Sequence, residues 1–146
     1  MADVFTVDET GLFFNALPTT TLSPVGNVHG GKASKERVTL LVGANITGTE
    51  KLKLDLIGKS KNPRCLKNVD REKLPVVYHD QANAWMDTTI FESIMRRFNR
   101  QFALAGRKVL FLMDNCSCHA TAIDLELSAV KVWSTILLTS VMAVAL

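Results

Sequence analysis

Two acidic residues that follow apolar runs carry the chemistry latent in this chain. Asp8 follows Val4-Phe5-Thr6-Val7, and Asp114 follows Val109-Leu110-Phe111-Leu112-Met113. A β-branched or aromatic run that stops at an Asp reads as a buried strand with a carboxylate at its C-terminal edge. Two such strands side by side would bring the carboxylates to about 4 to 7 Å, a pair that binds hard divalent cations able to drive phosphodiester chemistry. The bland alternative is that each Asp simply starts a turn.

Other residues bear on that chemistry. Glu9 would point away from Asp8 on a continuing strand and reads as a solvated turn residue or ion-pair partner. Lys32, Lys35 and Arg37 form one basic loop cluster, and Lys59, Lys61, Arg64 and Lys67 a second. Such clusters are usually solvated faces. Flanking an acidic metal site they would instead hold phosphates, giving salt-dependent, sequence-independent binding. Cys116-x-Cys118-His119 is too tightly spaced for one tetrahedral zinc, and no second Cys/His pair lies near it. Asp124 and Glu126 read as surface acids, and Trp85 as a packing residue rather than a base-stacking one.

The elements that must position these groups follow from patterning. The chain has 146 residues, 47% apolar and 21% charged, with net charge +3 and pI about 8.9. This is the composition of one globular domain with a core, not of a disordered segment, and the mild basicity permits nucleic-acid binding. The start lacks a signal-peptide pattern, and three unpaired-looking cysteines fit a reducing compartment. The apolar tail from Val132 to Leu146 is shorter than the roughly 20 residues of a membrane span, so it reads as core.

Val4–Val7 is the first strand, followed by a Gly/Ser/Thr/Pro-rich loop from Pro18 to Lys35. Arg37–Ile46 and Lys51–Ile57 form a hairpin around Thr47-Gly48-Thr49. In the second arm Leu52, Leu54 and Leu56 alternate with Lys51, Lys53 and Asp55, which predicts the leucines inward and Asp55 on a wet face. Pro75–Tyr78 is a short extended piece. Phe91, Ile94, Met95, Phe98 and Phe102 predict a helix from about Thr88 to Ala105. Its start is a Thr89/Glu92 capping box or an Asp87 cap; it ends at Gly106, with Arg96, Arg97, Arg100 and Arg107 biased to that end. Lys108–Met113 and Ala129–Leu138 are further strands. A three-stranded antiparallel meander, a helix crossover and then parallel strands is an α/β order that matches the ribonuclease H-like core.

The chain resembles the DDE endonuclease domain of pogo and Tigger transposases, shared with centromere protein B and jerky-like proteins. The resemblance rests on Asp8-Glu9-Thr10-Gly11-Leu12, the stretches from Gly31 to Thr39, Ala44 to Lys51 and Ile57 to Cys65, then Ala84-Trp85-Met86, and finally Asp114-Asn115-Cys116-Ser117-Cys118-His119. These blocks keep the family's order over about residues 4 to 130. The resemblance implies a fold acting on DNA phosphodiesters with Mg²⁺ or Mn²⁺, working in the nucleus. It assigns Asp8 and Asp114 as the first two catalytic acids and metal ligands, and Asn115 and His119 as residues shaping the site. It also implies that Lys32, Lys35, Arg37, Lys59, Lys61 and Arg64 contact DNA.

The family's third Asp lies in a Gln-Pro-Leu-Asp block, whereas this chain reads Ala143-Val144-Ala145-Leu146, with Leu146 at the register of that acid. The expectation is therefore a single partial domain at residues 1–146, without a helix-turn-helix region. Such a domain would bind DNA and would not cleave it at a normal rate. The rival is a catalytically inactive DNA-binding or interaction protein.

Overall fold

The computed structural model describes residues 3–16, 35–116, 119 and 125–134. Six strands and one long helix form over them: β1 (Val4–Leu12), β2 (Val38–Asn45), β3 (Leu54–Gly58), β4 (Val76–Asp80), α1 (Thr88–Leu104), β5 (Val109–Met113) and β6 (Val130–Ser134). They make one sheet in the order β4-β3-β2-β1-β5-β6. The β1/β2 and β2/β3 pairs are antiparallel, giving the expected meander. The β1/β5 and β5/β6 pairs are parallel, as the helical crossover requires.

Only β2 runs against its neighbours, so one edge of the sheet collects the C-terminal ends of the other five strands and the start of β2. The N-terminus of α1 lies at that edge too, because the helix follows β4 and returns the chain to the start of β5. In parallel α/β sheets this carboxyl edge is where ligands collect.

α1 covers one face of the sheet. Its buried stripe is Phe91, Ile94, Met95, Phe98 and Phe102, as the 3.6-residue period predicts. The stripe packs on Phe5 and Val7 of β1, Leu41 of β2, Val109, Phe111 and Met113 of β5, and Val130 and Val132 of β6. Phe111 is the hub, with edge-on contacts to Phe5 at 5.8 Å and Phe98 at 5.5 Å between ring centroids.

Several local expectations are corrected. β1 does not stop before Asp8; it continues through Glu9 to Leu12, fully paired with β2 up to Leu12 opposite Val38. Pro75–Tyr78 belongs to β4, which joins the sheet parallel to β3. The cap of α1 is Asp87, whose Oδ1 accepts from the Ile90 N–H at 2.9 Å; the rival capping box is not the one used. The arginines do not crowd the last turn. Arg97 turns inward to β3, and Arg107, beyond the helix, binds Asp3 and Glu50, tying the starts of β1 and β5 to the β2–β3 connection. Gly106 follows the helix at φ +65, a left-handed position that a glycine adopts without strain.

The largest correction concerns β3. Asp55, expected on the wet face, is fully buried beside Ile57, while Leu54 is exposed. The Arg97 guanidinium, with Nη2 2.6 Å from Oδ2, offsets the cost of burying the carboxylate, and His79 Nε2 lies at hydrogen-bond distance from Oδ1, 2.8 Å. The alternation was right and the face was inverted, because leucines outnumber the acid but the arginine that receives it comes from a distant element.

Candidate active site at the carboxyl edge of the sheet

The β1/β5 register aligns Thr6 with Leu112; continued by two positions, it sets Asp8 level with Asp114. Asp8 is half-buried within β1, and Asp114 is exposed just past the end of β5. The two carboxylates feel each other. Burial holds the Asp8 carboxyl above the usual carboxylate range, the Glu9 N–H bonded to it at 2.8 Å draws it down, and the charges of Glu9 and Asp114 push it up again.

His119 closes the site from the segment after β5. It is only 1% exposed and lies on the Phe91 ring of α1, 4.4 Å between centroids. Its Nε2 is 2.8 Å from Glu9 Oε1, and its Nδ1 is 3.1 Å from both the Asp114 carbonyl oxygen and Oδ1. Burial alone would lower the imidazole pKa, but the Glu9 hydrogen bond and charge, with the Asp114 contacts, carry it up to about 9. At neutral pH it is thus an imidazolium that donates one N–H to Glu9 and the other to Asp114. The ligand atoms of Glu9, Asp114 and His119 all lie within 4.8 Å of one another. Asn115 stands beside this cluster; its Oδ1 accepts from Ser134 Oγ at 3.1 Å, and the same hydroxyl donates to the Asp114 carbonyl at 3.2 Å.

Glu9 is an ion-pair partner, one of the two readings the sequence left open, and not a solvated turn residue, the other. Ending β1 at Val7 left both open. With the strand continued, Phe5, Val7 and Glu9 share the α1 face, which points Glu9 at His119. Continued pairing of Thr10 and Gly11 with β2 is the signal that was missed.

The basic residues are distributed around the same edge. Lys59, Lys61 and Arg64 are exposed after the C-terminal end of β3, and Lys35 is exposed just ahead of β2. Arg37 is half-buried, its guanidinium 4.4 Å above the Trp85 ring. Trp85 is 57% exposed, so it is not the packing residue expected. Lys32, Asp124, Cys118 and Leu146 lie outside the described residues. His119 is engaged by the carboxylates of Glu9 and Asp114.

A family model for DDE superfamily endonucleases matches residues 35–138. The chain belongs to the DDE endonuclease superfamily. Within it the chain is of the pogo and Tigger type. Tigger transposable element-derived protein 4 of Mus musculus is 40% identical over 125 residues, which cover 85% of this chain and 24% of that protein. ARS-binding protein 1 of Schizosaccharomyces pombe is 37% identical over 124 residues, covering 84% of this chain and 23% of that protein. The chain thus spans about a quarter of the length of the curated relatives it matches. Its fold is similar to that of a Mos1 mariner paired-end complex crystallised with Mn, with a TM-score of 0.51 at 15% identity over 92% of this chain and 36% of that one. The fold is α/β and ribonuclease H-like, and the DDE domain is of transposase descent.

The donor set fits the Mg²⁺ or Mn²⁺ that this superfamily implies. Glu9 and Asp114 bring carboxylate oxygens within 4.8 Å of each other, and Asp8 lies level with Asp114 on the neighbouring strand; carboxylates are the ligands hard cations prefer, and at Asp8 burial first and the charges of Glu9 and Asp114 after it disfavour the bare anion, which a divalent cation would relieve. His119 holds Glu9 and Asp114 through its two ring nitrogens.

Proposed function

We propose that this domain binds DNA at the carboxyl edge of its sheet, where Asp8 and Asp114 hold the Mg²⁺ or Mn²⁺ of an ancestral phosphodiester-cleaving site that, with Leu146 at the register of the third acid, does not cleave at a normal rate. The observation that carries this reading is the β1/β5 register that sets Asp8 level with Asp114 at the middle of that edge, with Glu9 and Asp114 held together on His119. The chemistry supplied by the bound ion is activation of a water or hydroxyl nucleophile and neutralisation of charge at the leaving oxygen.

The chain's own residues do the rest. Asp8, fixed on a central strand, supplies a rigid carboxylate. His119 fixes Asp114 through paired contacts to its backbone and side chain and keeps Glu9 beside it. Ser134 of β6 steadies this segment, its hydroxyl bonded to the Asp114 carbonyl and to Asn115 Oδ1. Lys35, Lys59, Lys61 and Arg64, together with Lys32 and Arg37, bind the phosphate backbone on either side. A nuclear site of action accords with this role. Among the described residues no helix is long and apolar enough to cross a membrane.

The test is a plasmid-nicking assay with Mg²⁺ and with Mn²⁺, beside Mn²⁺ binding followed by electron paramagnetic resonance. Mn²⁺ binding that Asp114→Ala weakens is expected, with little or no nicking; nicking by the parent that disappears in Asp114→Ala would show that another acid has taken the third role. Absence of Mn²⁺ binding by the parent chain would overturn the reading.

A further inference from the structure

Trp85 is a large aromatic held outward by a built support. Ala84, just before it, is fully buried and has φ +53, a left-handed conformation that costs a non-glycine residue about 1 kcal/mol or more. That geometry is locked on both sides. The Ala84 carbonyl accepts from the buried Thr39 hydroxyl of β2 at 2.7 Å, and the Ala84 N–H donates to the Gln81 carbonyl at 2.7 Å. The Gln81 side-chain oxygen also accepts from the N–H groups of Asn83 and Trp85. A strained and fully bonded loop therefore presents an indole that stays more than half exposed.

The indole is also prepared electrostatically. The Arg37 guanidinium stacks on it at 4.4 Å and donates to Thr39 Oγ1 at 3.2 Å. Its Nε is buried without a partner, and among the described residues no carboxylate pairs with it. The other side of the guanidinium lies along β1, where a Cβ on Gly11 would come 3.6 Å from its Cζ. Gly11 is three residues beyond Asp8 on the same strand, about 10 Å away. The platform therefore borders the acid cluster at the same edge, next to the start of α1 on which His119 rests.

From this arrangement we infer that Arg37 and Trp85 form a stacking site for an unpaired nucleobase next to the phosphodiester being processed. Stacking on an exposed indole is sequence-tolerant because every base has a π-face, and the adjoining guanidinium meets the phosphate attached to that base. The inference rests on the DNA reading above and adds to it a preference for DNA with an unstacked nucleotide.

The experiment uses the full chain without divalent metal and two labelled duplexes, one fully paired and one carrying a single unpaired 2-aminopurine. The readout is the ratio of the two affinities, with thermal melting of each variant recorded alongside. The parent is expected to favour the unpaired duplex about tenfold and to quench the 2-aminopurine. Trp85→Ala should bring the ratio close to one, and Trp85→Phe should keep most of the preference. A parent ratio near one, or a preference that survives in Trp85→Ala, overturns the stacking site while leaving DNA binding intact. Failure of the parent to bind either duplex overturns both readings.

Discussion

His119 Nε2 and Glu9 Oε1 lie 2.8 Å apart although 110 residues separate them in the chain. The contact pins the segment after β5 to the middle of β1, and the imidazole is almost fully enclosed. Its charge state is therefore coupled to folding. The folded pKa is about 9, above the 6.5 of a free histidine. A raised basic pKa means that the contribution is complete below pH 6.5 and is lost as pH rises through 9. Urea unfolding at pH 6 and pH 9.5 should differ by on the order of 2 to 3 kcal/mol in the parent. His119→Gln should flatten most of that difference; an equal difference in the variant would show that other groups cause it.

Asp8 titrates with the opposite consequence. Its carboxyl is raised, by burial first and by neighbouring charge, so its ionised form counts against the fold at neutral pH, and that penalty is relieved only as pH falls through the raised folded pKa towards the ordinary 3.8. Asp8→Asn is expected to raise the metal-free melting temperature by a few degrees. Added Mn²⁺ should stabilise the parent and not the variant, since a ligand that binds only the folded state stabilises it by mass action. Equal Mn²⁺ stabilisation of both proteins, read by differential scanning fluorimetry, would remove Asp8 from the metal site.

Asp55 tests the structural side of the molecule. It is buried between Arg97 and His79, and removing one partner from a buried ion pair leaves an uncompensated charge. Asp55→Ala should cost about 3 to 5 kcal/mol in chemical denaturation. Pairing Asp55→Leu with Arg97→Met should recover much of that loss, because an apolar pair avoids the desolvation penalty. No recovery would mean that the triad also fixes the placement of α1.

The basic rim predicts a salt signature. Neutralising Lys35, Lys59, Lys61 and Arg64 to Gln should weaken binding to any duplex sequence. It should also flatten the slope of log affinity against log salt by about 0.9 for each phosphate that is no longer neutralised. These side chains are exposed, so melting temperature should stay near that of the parent. An unchanged slope in a fluorescence-anisotropy salt series would place the DNA elsewhere.

The sequence was most legible where local pattern and tertiary fold agree. The five apolar positions of α1 became its buried stripe, and the two Asp-bearing apolar runs became the parallel neighbours β1 and β5. It was least legible where a residue's environment comes from a distant element. Asp55 belongs inside only because Arg97 is there, and Glu9 faces inward because β2 keeps β1 extended beyond Asp8. Trp85 read as core because tryptophan usually is; nothing local announces that Ala84 will take a left-handed turn and aim it outward.

The position of β1 between β2 and β5 has a consequence for biosynthesis. On the ribosome β1 can zip to β2 early, but its other side must wait for a partner that emerges more than a hundred residues later, a delay of roughly 5 to 20 seconds at ordinary elongation rates. During that interval the Val4–Thr6 edge is a row of unpaired amides next to apolar side chains, the kind of template that recruits foreign strands. The same delay keeps the site unassembled: Asp8 has no Asp114 level with it until β5 has docked, so a half-made chain lacks the paired carboxylates.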